Sequence, residues 1–83
     1  MWFVYILKCE DGSLYTGMTN NLQRRFLEHK NHKGGHYTAS HNVLKRVYSQ
    51  SFKTKSEALK REYEIKSLRR EDKFALIKSN KSV

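Results

Sequence analysis

Two short apolar segments near the start of the chain are separated by a polar turn. Trp2–Lys8 and Leu14–Met18 are rich in β-branched and aromatic residues, and Glu10-Asp11-Gly12 lies between them. Such residues favour extended strands, and a short turn that contains glycine is typical of a hairpin connection. The pattern therefore predicts a β-hairpin in this part of the chain.

The length of this turn decides which side chains share a face of the hairpin. A two-residue turn would place Tyr5 and Tyr15 on opposite faces, because side chains alternate along a strand. A three-residue turn places them together, and Gly12 suits the left-handed conformation that the last position of such a turn needs. We therefore predict a three-residue turn in which Leu7 pairs with Tyr15 and Tyr5 lies opposite Gly17.

The middle of the chain predicts a helix, a loop and a third strand. Asn20 and Asn21 are good N-caps for a helix that runs to about Lys30. One stripe of that helix carries apolar and polar residues at helical spacing: Leu22, Arg25, Phe26 and His29. Residues 31–42 contain glycine and histidine without periodicity and predict a loop, whereas Val43–Phe52 suits a strand over all or part of its length.

The second half of the chain predicts two more helices. Thr54-Lys55-Ser56-Glu57 is a capping box, and it begins a helix that runs to about Leu68. At about 100° per residue, one arc of this helix carries four apolar residues and a carboxylate, namely Ala58, Leu59, Ile65, Leu68 and Glu62. A last helix over about Glu71–Lys78 is expected to bury Phe74 and Ile77.

The length and charge of the chain limit the classes of protein to which it can belong. Eighty-three residues suffice for one domain, which we place at residues 1–78, with a polar, frayed tail at residues 79–83. Seventeen Lys and Arg against eight Asp and Glu give a formal net charge of +9, which favours nucleic acid as the partner ahead of an anionic membrane surface. The other interpretation is that these charges only solvate a small domain.

The cysteine content and the apolar runs predict where the protein works. Cys9 is the single cysteine, so neither an internal disulfide nor a zinc site built on several cysteines can form. The apolar run at residues 2–7 is too short for the core of a signal peptide or for a membrane span. These features predict a cytoplasmic protein.

Glu62 is the most informative carboxylate, because it lies on the arc predicted to be buried. A charge there carries a desolvation cost unless a cation or another residue pairs with it. A carboxylate holding a divalent cation, Arg25 stabilising phosphoryl charge and a tyrosine orienting or deprotonating water would together make a metal-assisted nuclease. A tyrosine base would need a nearby cation, because the pKa of a free phenol is near 10. The alternative is a structural ion pair between Glu62 and Arg25 or a lysine, with the tyrosines as core aromatics.

The order and spacing of these residues resemble the motifs of the GIY-YIG nuclease superfamily. Phe3-Val4-Tyr5 is followed, ten residues after its tyrosine, by Tyr15-Thr16-Gly17. Arg25 comes ten residues after Tyr15, His29 follows one helical turn later, and Glu62 completes the set. Phe3 stands where the name motif has glycine, and Thr16 stands where it has isoleucine. The resemblance spans about residues 2–68 and is close to the small stand-alone proteins of this superfamily.

The resemblance implies a fold, a set of roles and a reaction. The implied fold is α+β, with a three-stranded antiparallel sheet, made of the hairpin and a third strand, flanked by helices. The implied catalytic residues are Tyr5, Tyr15, Arg25 and Glu62, with His29 as a supporting polar residue. Gly17 would keep the strand end open, and Glu62 would be the single protein ligand of Mg²⁺ or Mn²⁺. The implied reaction is endonucleolytic hydrolysis of a phosphodiester bond by activated water, on DNA ahead of RNA.

Two further groups of residues suggest contacts with ligands. A basic and aromatic set is predicted to hold a phosphate backbone and to stack on an exposed base: Lys33, Tyr37, Lys45 and Arg46. An ordinary charged loop and strand edge is the alternative. The four histidines, His29, His32, His36 and His41, permit a zinc site, but no cysteine lies near them and their spacing matches no standard zinc finger.

Two functional hypotheses remain open at this point. The first is a divalent-metal-dependent endonuclease, and the second is a non-catalytic module that retains the nuclease fold and grips nucleic acid without cutting it. We expect a monomer or a weak homodimer in either case, because no pattern in the sequence demands an interface.

Overall fold

The computed structural model describes residues 1–31 and 41–79, which form three strands and three helices. The elements in chain order are β1 (Trp2–Cys9), β2 (Leu14–Thr19), α1 (Leu22–Lys30), β3 (Val43–Phe52), α2 (Lys55–Lys66) and α3 (Arg70–Ser79). The strands form one antiparallel sheet in the order β2-β1-β3, with β1 in the centre. The predicted α+β fold, a three-stranded antiparallel sheet flanked by helices, is therefore confirmed.

The hairpin turn has three residues, Glu10-Asp11-Gly12, as predicted, and the Cys9 N–H closes it with a 3.0 Å hydrogen bond to the Ser13 carbonyl. Gly12 has a φ of +85°, and its N–H donates a 2.9 Å hydrogen bond to the carbonyl of the last residue of β1. This turn sets a register in which Tyr5 lies opposite Gly17 and Leu7 lies opposite Tyr15. Both tyrosines consequently project from the same face of the sheet.

The two faces of the sheet bury different kinds of residue. The face covered by α1, here called the α1 face, buries Tyr5, Leu7, Cys9 and Val43, with Tyr15, Leu22 and Phe26 packed against them. The other face, here called the α2 face, buries Val4, Ile6 and Tyr48 against Ala58 and Ile65 of α2. Residues Leu76 and Ile77 of α3 pack against this second cluster. Because side chains alternate along β1, Tyr5 lies in the cluster on the α1 face and Ile6 in the cluster on the α2 face.

The predicted starts of α1 and α2 are confirmed by side-chain caps. The Asn21 side chain accepts a 3.0 Å hydrogen bond from the Arg24 N–H, and the Thr54 hydroxyl accepts one of 3.2 Å from the Glu57 N–H. Each cap satisfies a donor that the first turn of a helix leaves unpaired. Helix α2 ends at Lys66, two residues before the predicted end, and α3 extends one residue beyond the prediction at each end. Among the helices described, none is long and apolar enough to cross a membrane.

Three predictions about α2 and α3 were wrong. Leu59 was expected to be buried but is 52% exposed, because it lies about 100° around the helix from Ala58, the centre of the contact with the sheet. Phe74 is 37% exposed, because α3 turns Leu76 and Ile77 toward the sheet and the Arg70 guanidinium covers the Phe74 ring. Ser79 was assigned to the tail but is the last residue of α3; residues 80–83 lie outside the described part of the chain.

Candidate active site

Three rings from three different elements meet on the α1 face. Tyr5 comes from β1, Tyr15 from β2 and His29 from the last turn of α1. The Tyr5 hydroxyl lies 2.9 Å from Nε2 of His29, and the ring centroids are 5.1 Å apart for Tyr15 and His29 and 6.5 Å for the two tyrosines. Tyr5 is 2% exposed and His29 is fully buried, so the surrounding protein covers most of both rings.

Gly17 makes the space that the Tyr5 phenol occupies. A Cβ at position 17 would lie 2.6 Å from Cζ of Tyr5 and 3.1 Å from Cε2 of Tyr15, both too close for ordinary packing. The phenol therefore lies across the backbone of β2, which is an edge strand of the sheet. Any side chain at position 17 would therefore displace the phenol.

Burial keeps both partners of the central hydrogen bond uncharged. It raises the pKa of Tyr5 to about 12, although a hydrogen bond with Arg25 works in the opposite direction. Burial also lowers the pKa of His29 to about 4, and the positive charge of Arg25 adds to this effect. At neutral pH the phenol is therefore protonated and the imidazole is neutral. Burial raises the pKa of Tyr5 by more than Arg25 lowers it, so Arg25 does not give the ionised phenol that a tyrosine base would need.

Arg25 supplies a fixed positive charge at the edge of this cluster. Its Nη1 lies 3.1 Å from Oε1 of Glu28, and its side chain is 32% exposed. Burial alone would lower the pKa of Arg25, but hydrogen bonds with Tyr5 and Glu28 raise it on balance. The guanidinium thus remains charged while it joins the buried phenol to the partly exposed surface of α1.

Glu62 comes from the helix that covers the opposite face of the sheet. It lies on α2 between the buried residues Ala58 and Ile65, and its side chain is only 16% exposed. Oε2 of Glu62 lies 3.3 Å from Nζ of Lys66, so the lysine ion pair considered from the sequence is present. Burial is the main cause of the raised pKa of Tyr5, and the negative charge of Glu62 is the smallest of the contributions that act on it.

The donor set fits a divalent cation that has one protein ligand. Carboxylate oxygen is the ligand type that Mg²⁺ prefers, and Mg²⁺ commonly keeps waters and takes substrate phosphates for the rest of its shell. The Lys66 ammonium beside Oε2 shows that this oxygen already attracts a positive charge. Over residues 1–31 and 41–79, no group of three or more His, Cys, Asp or Glu is placed to hold a metal. Any ion here would therefore depend on Glu62 and on the substrate.

Of the basic and aromatic set predicted to bind nucleic acid, only Lys45 and Arg46 lie within the described residues. Arg46 lies opposite Leu7 and Lys45 opposite Lys8, so the two basic residues project from opposite faces of the sheet. Lys33, Tyr37, His32 and His36 lie outside the described residues. His41 lies 3.7 Å from the Asp11 carboxylate, at the hairpin turn, whereas His29 contacts Tyr5.

Two charged residues of the candidate site were not identified from the sequence. Glu28 pairs with Arg25 at a spacing of three residues, and Lys66 pairs with Glu62 at a spacing of four. Residues at these spacings are neighbours on a helix surface, so the helical periodicity alone could have identified both pairs.

Comparison with known proteins shows which family this chain resembles. The family model described as the GIY-YIG catalytic domain matches residues 1–75. A UPF0213 protein of Clostridium perfringens is 52% identical over 83 residues, which cover all of this chain and 88% of that protein. A UPF0213 protein of Staphylococcus saprophyticus is 49% identical over 75 residues, or 90% of this chain and 92% of that one.

A solved structure of another UPF0213 protein is also similar to this chain. The solution NMR structure of a UPF0213 protein from Bacillus halodurans matches with a TM-score of 0.64 and 40% sequence identity, over 99% of this chain and 88% of that one. The similarity therefore extends over nearly the whole length of each protein.

Proposed function

Because the chain belongs to the GIY-YIG catalytic-domain family, we propose that it is a divalent-metal-dependent endonuclease that hydrolyses DNA phosphodiester bonds. The family implies nuclease-type activity and a nucleic-acid substrate, and its nucleases generally use divalent metals. The observation that carries the proposal is the buried hydrogen bond between the Tyr5 hydroxyl and His29, in the space left by Gly17. Arg25 extends this cluster toward the surface.

Tyr5 and His29 would position the attacking water. The phenol stays protonated near neutral pH, so it acts as a hydrogen-bonding group with a fixed direction and not as an ionised base. The contact with Nε2 of His29 fixes that direction, and the neutral imidazole adds no charge to repel a cation. Tyr15, whose ring lies beside both, would form the other wall of the water site.

Arg25, and a cation held by Glu62, would stabilise negative charge on the phosphate. A guanidinium carries five N–H donors in a plane, which suits the oxygens of a phosphoryl group as negative charge builds up in the transition state. Glu62 would hold Mg²⁺ or Mn²⁺, which when bound would neutralise charge on the phosphate and on the leaving oxygen. Lys66 would have to give up its contact with Oε2 when the cation binds.

The remaining parts of the proposal concern the type of substrate, the cellular location and the oligomeric state. The net charge of +9 supports a polyanionic substrate, and we propose DNA ahead of RNA, a cytoplasmic location and a monomer or weak homodimer. We also retain the division into one domain at residues 1–78, extended to Ser79 by the observed end of α3.

A cleavage assay with matched variants tests the proposal. The parent is incubated with supercoiled, single-stranded and branched DNA in Mg²⁺, Mn²⁺ or a chelator. We expect cutting with either metal and none with the chelator, and a loss of about 100-fold or more in Glu62→Gln and in Arg25→Ala. Glu64→Gln and Arg24→Ala are the controls, because these exposed residues are chemical matches from the same two helices.

Two outcomes would count against the assignment. If Glu62→Gln and Arg25→Ala cut as fast as the parent, the site is elsewhere. If the parent binds DNA but cuts none of the substrates in either metal, the chain is a non-catalytic binding module with a nuclease fold. Thermal melting of each variant excludes unfolding as the cause; Glu62→Gln is expected to melt close to the parent, because Lys66 is 55% exposed and the ion pair contributes at most about 1 kcal/mol.

A further inference from the structure

The surface of α2 beside Glu62 differs from the rest of the helix in its charge. At about 100° per residue, the buried Ala58 and Ile65 lie about 40–60° to one side of Glu62. Leu59 and Tyr63 lie about 60° and 100° to the other side. The helix has two further carboxylates, Glu57 and Glu64, and both lie more than about 130° from Glu62, beyond the buried side. The arc from Glu62 to Tyr63 therefore carries no other carboxylate, whereas Lys60, farther around the helix, lies within one turn of both Glu57 and Glu64.

This side of the helix combines exposed apolar groups with lysines. Tyr63 is 76% exposed and Leu59 is 52% exposed, and Tyr63 is the more exposed of the two. We define the α2 flank as Lys55, Leu59, Lys60, Tyr63 and Lys66. All three lysines are exposed, with the Lys55 ammonium 5.3 Å above the Trp2 ring and the Lys66 ammonium beside Glu62. An exposed aromatic ring among lysines matches the chemistry of a stacked base and its phosphates.

We propose that the α2 flank holds a single-stranded segment of the DNA substrate next to the cleavage site, with the Tyr63 ring stacked on an unpaired base. The proposal rests on the proposed function, since it extends the surface that begins at Glu62. Stacking on an aromatic ring needs an unpaired base, because a base inside a duplex offers no open face. The lysines would neutralise the phosphates of the same strand, independently of its sequence.

The positive charge of the α2 flank favours single-stranded DNA over a second copy of the chain as its partner. A second copy of the chain would bring another net charge of +9 to a flank that is itself basic, so association through this surface would be opposed by repulsion. A polyanion with exposed aromatic bases satisfies the lysines and the tyrosine together. The position of Tyr63, one residue from Glu62, places the stacked base close to the phosphate that Glu62 would help to bind.

Binding without cleavage tests this inference separately from the proposed function. Fluorescence anisotropy is measured with a labelled 12-nucleotide single strand and with a blunt duplex of the same sequence, in the presence of a chelator. Tyr63→Ala is expected to weaken single-strand binding about 10-fold and duplex binding less than about twofold, whereas Tyr63→Phe retains single-strand binding. Phe74→Ala is the matched control, since this aromatic residue on α3 is 37% exposed and lies under Arg70.

The lysines give a second readout. If Lys60 contacts a phosphate, Lys60→Ala reduces the slope of log affinity against log salt by about 0.7 for a single strand. The same substitution leaves the preference for single strand over duplex unchanged, because lysine does not read base pairing.

Each contrary result has a defined meaning. Equal single-strand affinity in the parent and Tyr63→Ala would overturn the inference, as would an equal loss on single strand and duplex, which would indicate backbone contacts alone. A parent that dimerises in sedimentation experiments, and a Tyr63→Ala variant that does not, would assign the flank to a second copy of the chain. A parent that binds no single strand would also refute the inference. The proposed nuclease is judged independently by the Glu62→Gln cleavage assay.

Discussion

The two faces of the sheet use burial for different purposes. On the α2 face, Val4 and Ile6 pack against Ala58 and other apolar residues, so burial there removes hydrocarbon from water and stabilises the fold. On the α1 face, burial encloses Tyr5 and His29, and it keeps both uncharged at neutral pH. Under the proposed function, neighbouring residues of β1 therefore serve different ends, Ile6 stability and Tyr5 chemistry. Within β1, we expect a change toward the α2 face to alter mainly the free energy of unfolding, and a change toward the α1 face to alter mainly cleavage.

The largest expected effect on stability comes from Ile6, which is fully buried on the α2 face. Ile6→Ala should lower the free energy of unfolding by about 4 kcal/mol, because it removes buried hydrocarbon and leaves a cavity. Its neighbour gives the contrast: Tyr5→Phe removes one hydroxyl and should cost about 1 kcal/mol while abolishing most cleavage. Urea unfolding and the cleavage assay measure the two quantities. A cost below about 1 kcal/mol for Ile6→Ala would mean that the α2 face is not the stabilising one.

The second prediction concerns the pH dependence that buried His29 imposes. Its pKa falls from an ordinary value of 6.5 to about 4 on folding, so between these values the unfolded chain binds more protons than the folded one. Stability should therefore rise with pH across this window and be lost as the pH falls through it, by about 3 kcal/mol in total. Urea unfolding at several pH values measures the slope, and His29→Gln supplies the baseline without an imidazole. A parent and variant with the same slope would contradict the placement of His29.

The third prediction compares two glycines, one beneath the site and one in the turn. Gly17→Ala should cost about 2 kcal/mol and most of the cleavage activity, because the new methyl group displaces the Tyr5 ring from His29. Gly12→Ala should cost about 1 kcal/mol through its left-handed φ of +85°, with cleavage retained. Thermal unfolding and the cleavage assay compare the two variants. If both lose activity equally, the space beside Tyr5 is not what Gly17 provides.

The hairpin was predictable because its determinants are local. The left-handed conformation of Gly12 fixes the length of the turn, and the turn fixes which residues pair, so the shared face of Tyr5 and Tyr15 follows from a few adjacent positions. The helix caps at Asn21 and Thr54 were predictable for the same reason. Such features need no knowledge of distant parts of the chain.

Features that depend on how helices dock were less accessible to sequence reasoning. The apolar arc of α2 is broad enough for several rotations about its axis, and only contact with the sheet selects Ala58 and Ile65 and leaves Leu59 in water. The perturbed pKa values of Tyr5 and His29 likewise arise from burial between α1 and the sheet. The candidate residues could therefore be named from the sequence, but the protonation state of this pair could not.

The smallest expected effect concerns the buried hydroxyl of Thr16, on the α2 face. Thr16 lies opposite Ile6 and is 5% exposed, and its hydroxyl finds no hydrogen-bond partner in the described part of the chain. Replacing an unsatisfied buried hydroxyl with a methyl group of similar size removes its desolvation cost, so Thr16→Val should gain about 0.5–1 kcal/mol in urea unfolding. Thr16→Ser, which keeps the hydroxyl and loses the methyl group, should instead be destabilised. If Thr16→Val loses stability or cleavage, the hydroxyl contributes to the site from the α2 face, and the separation of stability from chemistry by face fails at this position.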